Sequence, residues 1–492
     1  MTAPAKRTPT PGRHVYDAIV FGGQLAGTIT TALLARHGLH VLLVPHDGLS
    51  APYVHGDWRL PHAPFVMPPL KEIPLLEEQL LALGVTSLVH RQLRAPPLQL
   101  IEPRRRFERS PDEAARVKEL TRALGPAAEA YDAAWSAAVE ASTASDPFFS
   151  THPDLPPEGF FASWRFKRAL AKAEGLAQDT PLEETSPLRA LLPWAAPVSN
   201  GGPLTRTRAL GHLLAAPTVF PGGREGLLTL LQERARELGA DVLNPDEAVQ
   251  LLAFEGALAA GVRLTRTDTV YKAPILVAAC DLEVLTKVIP EARQKAADKA
   301  LARVPSSKAL FTLNAVVPEK ALPRGLGELA LVRSEAFDGG AVLLQVSAVR
   351  TAGDADSPEH RVLTVGVPAP SQLRAGGEPA IRAFIGTIWS ALDELLPFTR
   401  QHAVLESTPW LDAGPVAAGR GEPWPIFTVP EDAWLGVSAL GTSSPWKHLL
   451  LANRQVLPGL GIEGEALAAG RAVKQIEATL KKTDPLKARR PA

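Results

Sequence analysis

Near the start of the chain, four residues stand where a phosphate-binding turn would be expected. Such a turn, with the pattern G-x-G-x-x-G, follows a strand and opens a helix whose N-terminus faces a diphosphate. The first glycine makes the turn, the second lets the phosphate approach the backbone, and the third lets the helix pack on the strand. These three positions are Gly22, Gln24 and Gly27, with Gly23 between the first two. The packing positions are therefore kept, while the position of phosphate contact carries a glutamine.

The next strand of the same unit ends without the acidic residue that usually holds a ribose. That residue normally stands about twenty positions after the turn and accepts hydrogen bonds from the ribose hydroxyls. Here the strand at residues 40–44 is followed by Pro45, whose side chain accepts nothing, and only later by Asp47. Asp47 reaches a ribose only if the chain bends favourably. The alternative is a βαβ unit that keeps its packing glycines and binds nothing.

A second glycine-rich turn precedes a helix near the C-terminus. It contains Gly459, Gly461 and Gly464, with Glu463 and Glu465 beside the last glycine. The first N–H groups of such a helix are unpaired and partly positive, so they favour a phosphate or an electron-rich ring. The three glycines are therefore candidates for cofactor contact. Glu465 also suits the helix dipole, and a plain connection between elements is the alternative.

Other polar residues carry weaker signals. His55, Asp57 and His62 are close in sequence, but two ligands without a third do not make a metal site, so none is predicted. The single cysteine, Cys280, lies in an apolar strand and is expected to be a buried hydrophobic residue. The serine pairs at 306–307 and 443–444 lie in turn-like segments without a nearby pair of histidine and acid, so no catalytic residues are assigned.

Four tryptophans fall in a proline-rich region before the C-terminal turn, namely Trp410, Trp424, Trp434 and Trp446. They are candidates for the lining of an apolar substrate tunnel. Packing in a core is the more common role of tryptophan, and it is the alternative here.

The composition excludes several classes of protein. Lys and Arg total 52, as do Asp and Glu, and this balance argues against nucleic acid as a partner. One cysteine excludes a disulfide framework, and no apolar run reaches the length of a membrane span. The N-terminal residues lack the apolar core of a signal peptide. We expect a cytoplasmic protein without a membrane span, for which peripheral contact with a membrane stays open.

The elements that must position these residues fall into segments of alternating strands and helices, separated by a mostly helical segment. With 492 residues, the chain is too long for one simple core. Residues 52–69 are expected to be an irregular loop, 98–107 a hairpin and 111–141 helical. Strands are expected near 240–243, 247–254, 261–265, 269–279, 304–317, 340–349, 361–367 and 449–452, and helices near 72–83, 227–239, 380–396 and 465–481.

These patterns predict an α/β fold with a Rossmann-like domain, a helical insertion and a second lobe built on a mixed or antiparallel sheet. The predicted division is a disordered tail at 1–15, a first part of the nucleotide-binding domain at 16–70, a mostly helical insertion at 71–215, a second part of the nucleotide-binding domain at 216–290, a substrate lobe at 291–440, a third part at 441–480 and a basic tail at 481–492.

Four segments together resemble the flavin amine oxidase and phytoene desaturase superfamily, most closely the phytoene desaturase branch. They are the turn at 16–27, the Pro-Gly-Gly-Arg-Glu-Gly-Leu-Leu segment at 221–228, the passage at 261–281 and the C-terminal passage at 449–472. The resemblance implies FAD, with Val249 near the adenine, Asn453 in place of an aspartate that contacts the ribityl-phosphate part, and the C-terminal turn against the flavin. The implied cofactor contacts are Gly22, Gly23, Gln24, Gly27, Val249, Asn453, Gly459, Gly461 and Gly464.

The chain departs from that family pattern at Gln24, Pro45 and Asn453, and it lacks a paired-glycine turn after the second strand. A lost charged hydrogen bond costs about 1.5–3 kcal/mol, so loss of the ribose acid alone weakens FAD binding by roughly one to two orders of magnitude. Two hypotheses follow. The first is an FAD-dependent oxidoreductase that dehydrogenates or isomerises an apolar, isoprenoid-like substrate. The second is a cofactor-free relative that keeps the fold as a binding or scaffold protein, with a protein partner.

Overall fold

The computed structural model of the protein describes residues 14–45, 51–102, 105–110, 112–153, 155–157, 159–172, 198–199, 205, 208, 211–212, 215–243, 249–251, 261–264, 267–337, 341–393, 395–413, 424–429, 434–438 and 440–483. Within these residues the strands form a parallel sheet, a small antiparallel sheet and a large mixed sheet.

The strands are, in chain order, β1 Ala18–Phe21, β2 Val41–Val44, β3 Tyr53–His55, β4 Trp58–Leu60, β5 Leu98–Glu102, β6 Arg105–Arg109, β7 Val198–Ser199, β8 Asp241–Val242, β9 Val249–Leu251, β10 Gly261–Leu264, β11 Val270–Lys272, β12 Leu276–Ala278, β13 Ser306–Pro318, β14 Leu329–Arg333, β15 Ala341–Thr351, β16 Asp356–Pro370, β17 Leu405–Ser407, β18 Pro425–Thr428 and β19 Leu449–Leu451. The α-helices are α1 Leu25–Arg36, α2 Pro74–Leu83, α3 Thr86–Gln92, α4 Glu113–Leu124, α5 Ala128–Thr143, α6 Asp146–Phe149, α7 Phe160–Lys172, α8 Gly223–Glu237, α9 Leu282–Val288, α10 Glu291–Leu301, α11 Gly377–Leu392, α12 Pro409–Asp412 and α13 Gly461–Thr483.

The parallel sheet has the strand order of a doubly wound nucleotide-binding domain. Its described strands run β8-β2-β1-β12-β19, and every neighbouring pair is parallel. The chain order therefore reverses between β1 and β12, and in such sheets ligands bind beyond the carboxyl ends of the strands at that point. The predicted glycine turn between β1 and α1 lies at this edge, as does the end of β19.

Side-chain alternation along β1 explains how the sheet is covered on both faces. Ile19 and Phe21 pack into a core shared with Val262 and Leu264 of the small antiparallel sheet. Ala18 and Val20 point the other way, into a core shared with α1, α8 and α13. Strands buried on both faces read as continuous apolar runs, which is the pattern that the sequence shows.

The large sheet forms the second lobe. Its described strands follow the order β6-β5-β14-β15-β16-β13-β18-β7, with β3, β4 and β17 beside this path. Helix α11 covers one face through Ile385 and Trp389, which pack against Phe311 and Val365. The predicted hairpin is formed by β5 and β6, and it joins this sheet because β5 pairs with β14. This architecture confirms the predicted α/β class with a second sheet lobe.

The prediction of an irregular loop at residues 52–69 was wrong in its first half. Strands β3 and β4 form a short hairpin there, with Gly56 in the turn at φ +55°. The hairpin is held by the large sheet, because β4 forms an antiparallel ladder with β15 in which the backbone of Arg59 lies opposite that of Arg350. Strands of three residues among prolines and histidines carry too little pattern to be recognised locally.

Candidate functional site

The N-terminal turn keeps two glycines because the chain itself leaves no room for a side chain. A Cβ on Gly22, which has φ +117°, would overlap the backbone of Ala279 and Cys280 at the end of β12. A Cβ on Gly27 would overlap the carbonyl oxygen of Gly22 and lie 2.7 Å from the Cβ of Ala279. Both glycines are therefore explained by the contact between β1, α1 and β12, without any ligand.

Gln24 closes the start of α1, at the position where the pattern expects phosphate contact. The residue has an extended backbone as N-cap, and its side chain makes no capping hydrogen bond. It is only 3% exposed, and both atoms of its amide are buried with no hydrogen-bond partner among the described residues. Gly23 beside it accepts a hydrogen bond from the hydroxyl of Thr28 at 3.0 Å. A buried glutamine side chain thus begins the helix at the position where the pattern has a glycine.

At the neighbouring strand ends, polar side chains bind one another. Asn453, after β19, donates from Nδ2 to the carbonyl of Cys280 at 2.7 Å and accepts from the N–H of Gln455 at 3.1 Å. Arg454 forms a two-point ion pair with Asp281, at the end of β12. Cys280 is fully buried, as predicted. Asn453 therefore ties its own segment to the end of β12 through Nδ2, while Oδ1 closes a local turn with Gln455.

Two further residues, Pro45 and Val249, stand where the resemblance places the adenosine side of the cofactor. Pro45 is buried directly after β2, and the carbonyl of Val44 accepts from the N–H of Gly22 at 2.8 Å. Val249 lies on β9 of the small antiparallel sheet, and its side chain lies outside the described residues, as does all of Asp47.

The C-terminal turn is also shaped by close packing. A Cβ on Gly459 would come within 2.5 Å of the carbonyl oxygen of Gly436, and one on Gly464 would overlap the carbonyl oxygen of Leu457. Gly461 has φ +54° and is the first residue of α13. In contrast to the N-terminal turn, this one borders open space.

A cavity of about 350 Å³ lies between this turn and the large sheet. Its floor is formed by Leu310 on β13 and Leu343 on β15, and Phe65 lies in the loop that forms another wall. Most of the surface is apolar, and the first residue of α13 lies at one end. The lining residues are Ala63, Pro64, Phe65, Val66, Met67, Pro68, Arg208, His212, Arg224, Leu310, Leu343, Trp424, Gly459, Leu460, Gly461 and Ile462.

The two carboxylates of the C-terminal turn are paired with cavity-lining arginines. Glu463 and Asp146 both form ion pairs with Arg208, which is 2% exposed. Glu465 accepts two hydrogen bonds from one guanidinium nitrogen of Arg224, at 2.7 and 2.8 Å. Burial raises the pKa of Glu463, while the charge of Arg208 opposes that rise. Charge around the cavity is therefore compensated by pairs within the protein.

A stack of one tryptophan and two arginines joins the strand ends to the cavity. The guanidinium carbons of Arg224 and Arg454 each lie 4.7 Å from the ring centroid of Trp424. Arg224 is held by Glu465 and Arg454 by Asp281. Because Trp424 also lines the cavity, this ion-paired stack lies between the edge of the parallel sheet and the cavity. Cation–π contacts of this kind stabilise by about 0.5–2 kcal/mol each.

Two titratable residues near the cavity are shifted by burial. Burial, and then the charge of Arg208, lowers the pKa of His212 to about 3, so the ring is neutral at physiological pH. Burial raises the pKa of Glu225 to about 7. One oxygen of Glu225 accepts from the backbone N–H of His62 at 2.9 Å, and the other has no partner among the described residues.

Sequence reasoning missed the charged and titratable residues at and beside the cavity wall. Arg224 and Glu225 follow two glycines in the segment at 221–228, and this charged pair at a helix start was a usable signal. Arg208 gave no local signal, because its partner Glu463 is 255 residues away. The neutral state of His212 depends on burial and on the charge of Arg208, which no local pattern shows.

The other polar residues singled out in the sequence, His55, Asp57 and His62, make contacts within the protein. The ring of His62 lies 5.2 Å from that of Tyr53, and its Nε2 lies 3.1 Å from the carbonyl oxygen of Ala51. The Nδ1 atom of His55 lies 3.9 Å from Oδ1 of Asp412. Across the described residues, no three metal-ligating side chains converge. The backbone of Asp57 accepts a hydrogen bond from Ala352 at 2.7 Å.

Only part of the tryptophan group is near the cavity. Trp424 lines it, whereas Trp410 and Trp446 are buried in the cores of the large sheet and of the parallel sheet. The side chain of Trp434 lies outside the described residues. For two of these tryptophans, the core-packing alternative is therefore correct.

Solved structures with the same architecture are oxidoreductases. An oxidoreductase from Methanosarcina mazei has a TM-score of 0.55 and 14% identity, over 93% of this chain and 99% of that one. Cyclohexylamine oxidase from Brevibacterium oxydans has a TM-score of 0.53 and 12% identity, over 95% and 99%. A putrescine oxidase with redesigned cofactor binding has a TM-score of 0.53 and 15% identity, over 94% and 99%.

No protein-family model matches the sequence, and no curated protein sequence matches it either. At identities this low, the structural likeness establishes the fold. The chain shares its fold with cyclohexylamine oxidase and putrescine oxidase, which agrees with the fold that the resemblance of the four sequence segments predicted. Fold alone leaves function to be argued from the site.

The residues at the edge of the parallel sheet do not fit the diphosphate and ribose of FAD in the pose that the fold provides. Gln24 puts a buried side chain where the pattern has a glycine, and Pro45 supplies no side-chain acceptor. Asn453 already uses its amide on the carbonyl of Cys280 and the N–H of Gln455. The cavity at the C-terminal turn does fit a ligand with an apolar body. The site is therefore divided into a closed edge and an open cavity.

Proposed function

We propose that this protein binds an apolar small molecule in the cavity beside α13, and that it does so without FAD at the edge of the parallel sheet. It is then a cofactor-independent relative of the flavin oxidoreductases. The observation that carries this proposal is the fully buried, unpartnered amide of Gln24 at the start of α1. A diphosphate would have to displace that side chain from a closed site.

The pattern of kept and lost glycines supports the same proposal. Gly22, Gly27, Gly459 and Gly464 are each held by contact with the backbone of this chain, so the fold requires them with or without a ligand. The second glycine of the pattern is needed only where a phosphate approaches, and here it is Gln24. Glycines that serve the fold are kept, and the one that serves the ligand is lost.

The cavity indicates the kind of ligand. Its floor and loop wall are made by Leu310, Leu343 and Phe65, which favour an apolar body. The buried cations Arg208 and Arg224 already have carboxylate partners, so a highly charged ligand is not required. Ligand pockets of this class are concave and mostly apolar, with a few polar groups that fix orientation.

An FAD-dependent oxidoreductase acting on an apolar, isoprenoid-like substrate is the second candidate. It is favoured by the position of the cavity against Gly459 and Gly461 at the start of α13, where N–H groups favour an electron-rich ring. In that case the flavin would supply the redox chemistry. This candidate requires that Gln24 leave its buried site.

Flavin binding distinguishes the two candidates. The purified protein is incubated with excess FAD and desalted, and its visible absorbance is recorded for the wild type and for Gln24→Gly. We expect a colourless wild type, because the anion position is occupied. Flavin bands retained by the wild type would overturn the cofactor-independent proposal and support the second candidate.

Binding to the cavity is tested separately with the fluorescent probe 8-anilinonaphthalene-1-sulfonate. We expect saturable binding to the wild type and its loss in Val66→Trp, which fills the cavity from a half-buried wall residue. The matched control is Leu81→Trp, at a site that is 69% exposed and does not line the cavity. Equal binding by all three proteins would contradict a ligand site in this cavity.

A further inference from the structure

Helix α7 presents three large aromatic side chains to solvent. Phe160 is 79% exposed, Phe161 is 77% exposed and Trp164 is 52% exposed. Side chains of this size are usually buried, and a group of them within one helical turn marks an interaction surface. The cavity and the parallel-sheet edge do not use any of the three.

The same helix is strongly basic. Arg165, Lys167, Arg168 and Lys172 are all exposed, and residues 159–172 contain no aspartate or glutamate. The whole chain is balanced at 52 cationic and 52 acidic residues, so this concentration of positive charge is local. The guanidinium carbon of Arg168 lies 5.5 Å from the ring centroid of Trp164, which places positive charge directly on the aromatic group.

The inner side of α7 fixes this surface on the protein. Ala162 and Phe166 are buried, and the ring of Phe166 packs edge-on against Phe148 at 5.9 Å. Phe149 lies next in the chain and packs under Arg208, with 5.6 Å between the guanidinium carbon and the ring centroid. The helix is thus amphipathic in an unusual sense, since one side is in the core and the other is aromatic and cationic.

We propose that the outer face of α7 docks onto an anionic lipid bilayer. Phenylalanine and tryptophan insert at the boundary between headgroups and acyl chains, while arginine and lysine attract anionic headgroups. Each basic residue near such a surface adds to binding, and the contributions are lost at high salt. No helix in the described residues is long and apolar enough to cross a bilayer, so the contact is peripheral. This inference is independent of what the cavity binds.

Co-sedimentation with vesicles tests the inference. The full-length protein is mixed with vesicles of phosphatidylcholine alone or of phosphatidylcholine with phosphatidylglycerol. We expect binding to the anionic vesicles that falls on the order of tenfold in the triple variant Phe160→Ala, Phe161→Ala, Trp164→Ala. The matched control is Phe398→Ala, which removes a single aromatic side chain that is 68% exposed on another part of the surface. It should bind as the wild type does.

A charge variant separates the two parts of the mechanism. Lys167→Glu with Lys172→Glu should lower binding to anionic vesicles on the order of tenfold and leave weak binding to neutral vesicles unchanged. Because all of these side chains are exposed, the variants should fold normally, which circular dichroism checks. Failure of the wild type to bind anionic vesicles would overturn the inference. So would a wild-type dimer, detected without lipid by analytical ultracentrifugation, that the triple variant dissociates, because the aromatic face would then serve a protein contact.

Discussion

The two glycine turns of this molecule are alike in how their glycines pack and differ in the space beside them. Each follows a strand of the parallel sheet and leads into a helix, and each contains glycines that pack against the chain's own backbone. At the N-terminal turn, the buried side chain of Gln24 fills the space before α1. At the C-terminal turn, Gly459 and Gly461 border an open cavity instead. One fold therefore has a closed ligand position and an open one.

This difference shows which features of a nucleotide-binding pattern belong to the fold. The contact between Gly27 and Gly22 is needed for α1 to lie on β1, whatever the protein binds. Contacts made only with a ligand are free to change when the ligand changes. A motif that keeps the residues needed for packing and loses those that contact only a ligand indicates the fold without indicating the cofactor.

The largest effect should come from filling the packing position of the closed turn. Gly27→Val adds a branched side chain against the backbone of Gly22, which has no room to move. We expect loss of folded protein or a drop in the free energy of unfolding above about 4 kcal/mol, measured by urea denaturation. Gln24→Ala in the same turn is the control and should change it by less than about 2 kcal/mol. Similar effects of the two variants would remove the distinction between packing and ligand positions.

At the open turn, the next largest effect should come from leaving a buried carboxylate without its cation. Arg208→Met removes the partner of Glu463, which is 0% exposed. We expect a loss of about 3–5 kcal/mol in the free energy of unfolding, since an unpaired charge stays buried. Adding Glu463→Gln to Arg208→Met should restore much of that loss. A single variant as stable as the wild type would mean that the pair does not hold the cavity wall.

Local patterns were sufficient for the fold and insufficient for the site. The glycine turn, the apolar runs of β1 and β2 and the long strands β13, β15 and β16 were predictable, because periodicity and turn chemistry are local. The cavity was not, since its floor and its wall come from distant segments. Gln24 was visible as a departure, but only burial shows that its side chain closes the turn. The ion pair of Arg208 with Glu463 likewise depends on the tertiary fold.

Glu225, next to the cavity-lining Arg224 at the start of α8, offers the sharpest measurement, because burial outweighs the charge of Arg224, which is paired with Glu465. Its pKa is about 7 in the folded protein against an ordinary 4.5, so the folded state binds this proton more tightly than the unfolded state. The stability that this group contributes is present below pH 4.5 and is lost as the pH rises through 7. A shift of this size corresponds to about 3 kcal/mol.

Glu225→Gln keeps an oxygen acceptor for the backbone N–H of His62 and removes the titration. The free energy of unfolding of the wild type should therefore fall by about 3 kcal/mol more than that of the variant between pH 4.5 and pH 8.5. Urea denaturation across this range measures both proteins, and Glu237→Gln on the exposed end of α8 is the control. Parallel curves for the wild type and Glu225→Gln would contradict a pKa of this carboxylate raised by burial.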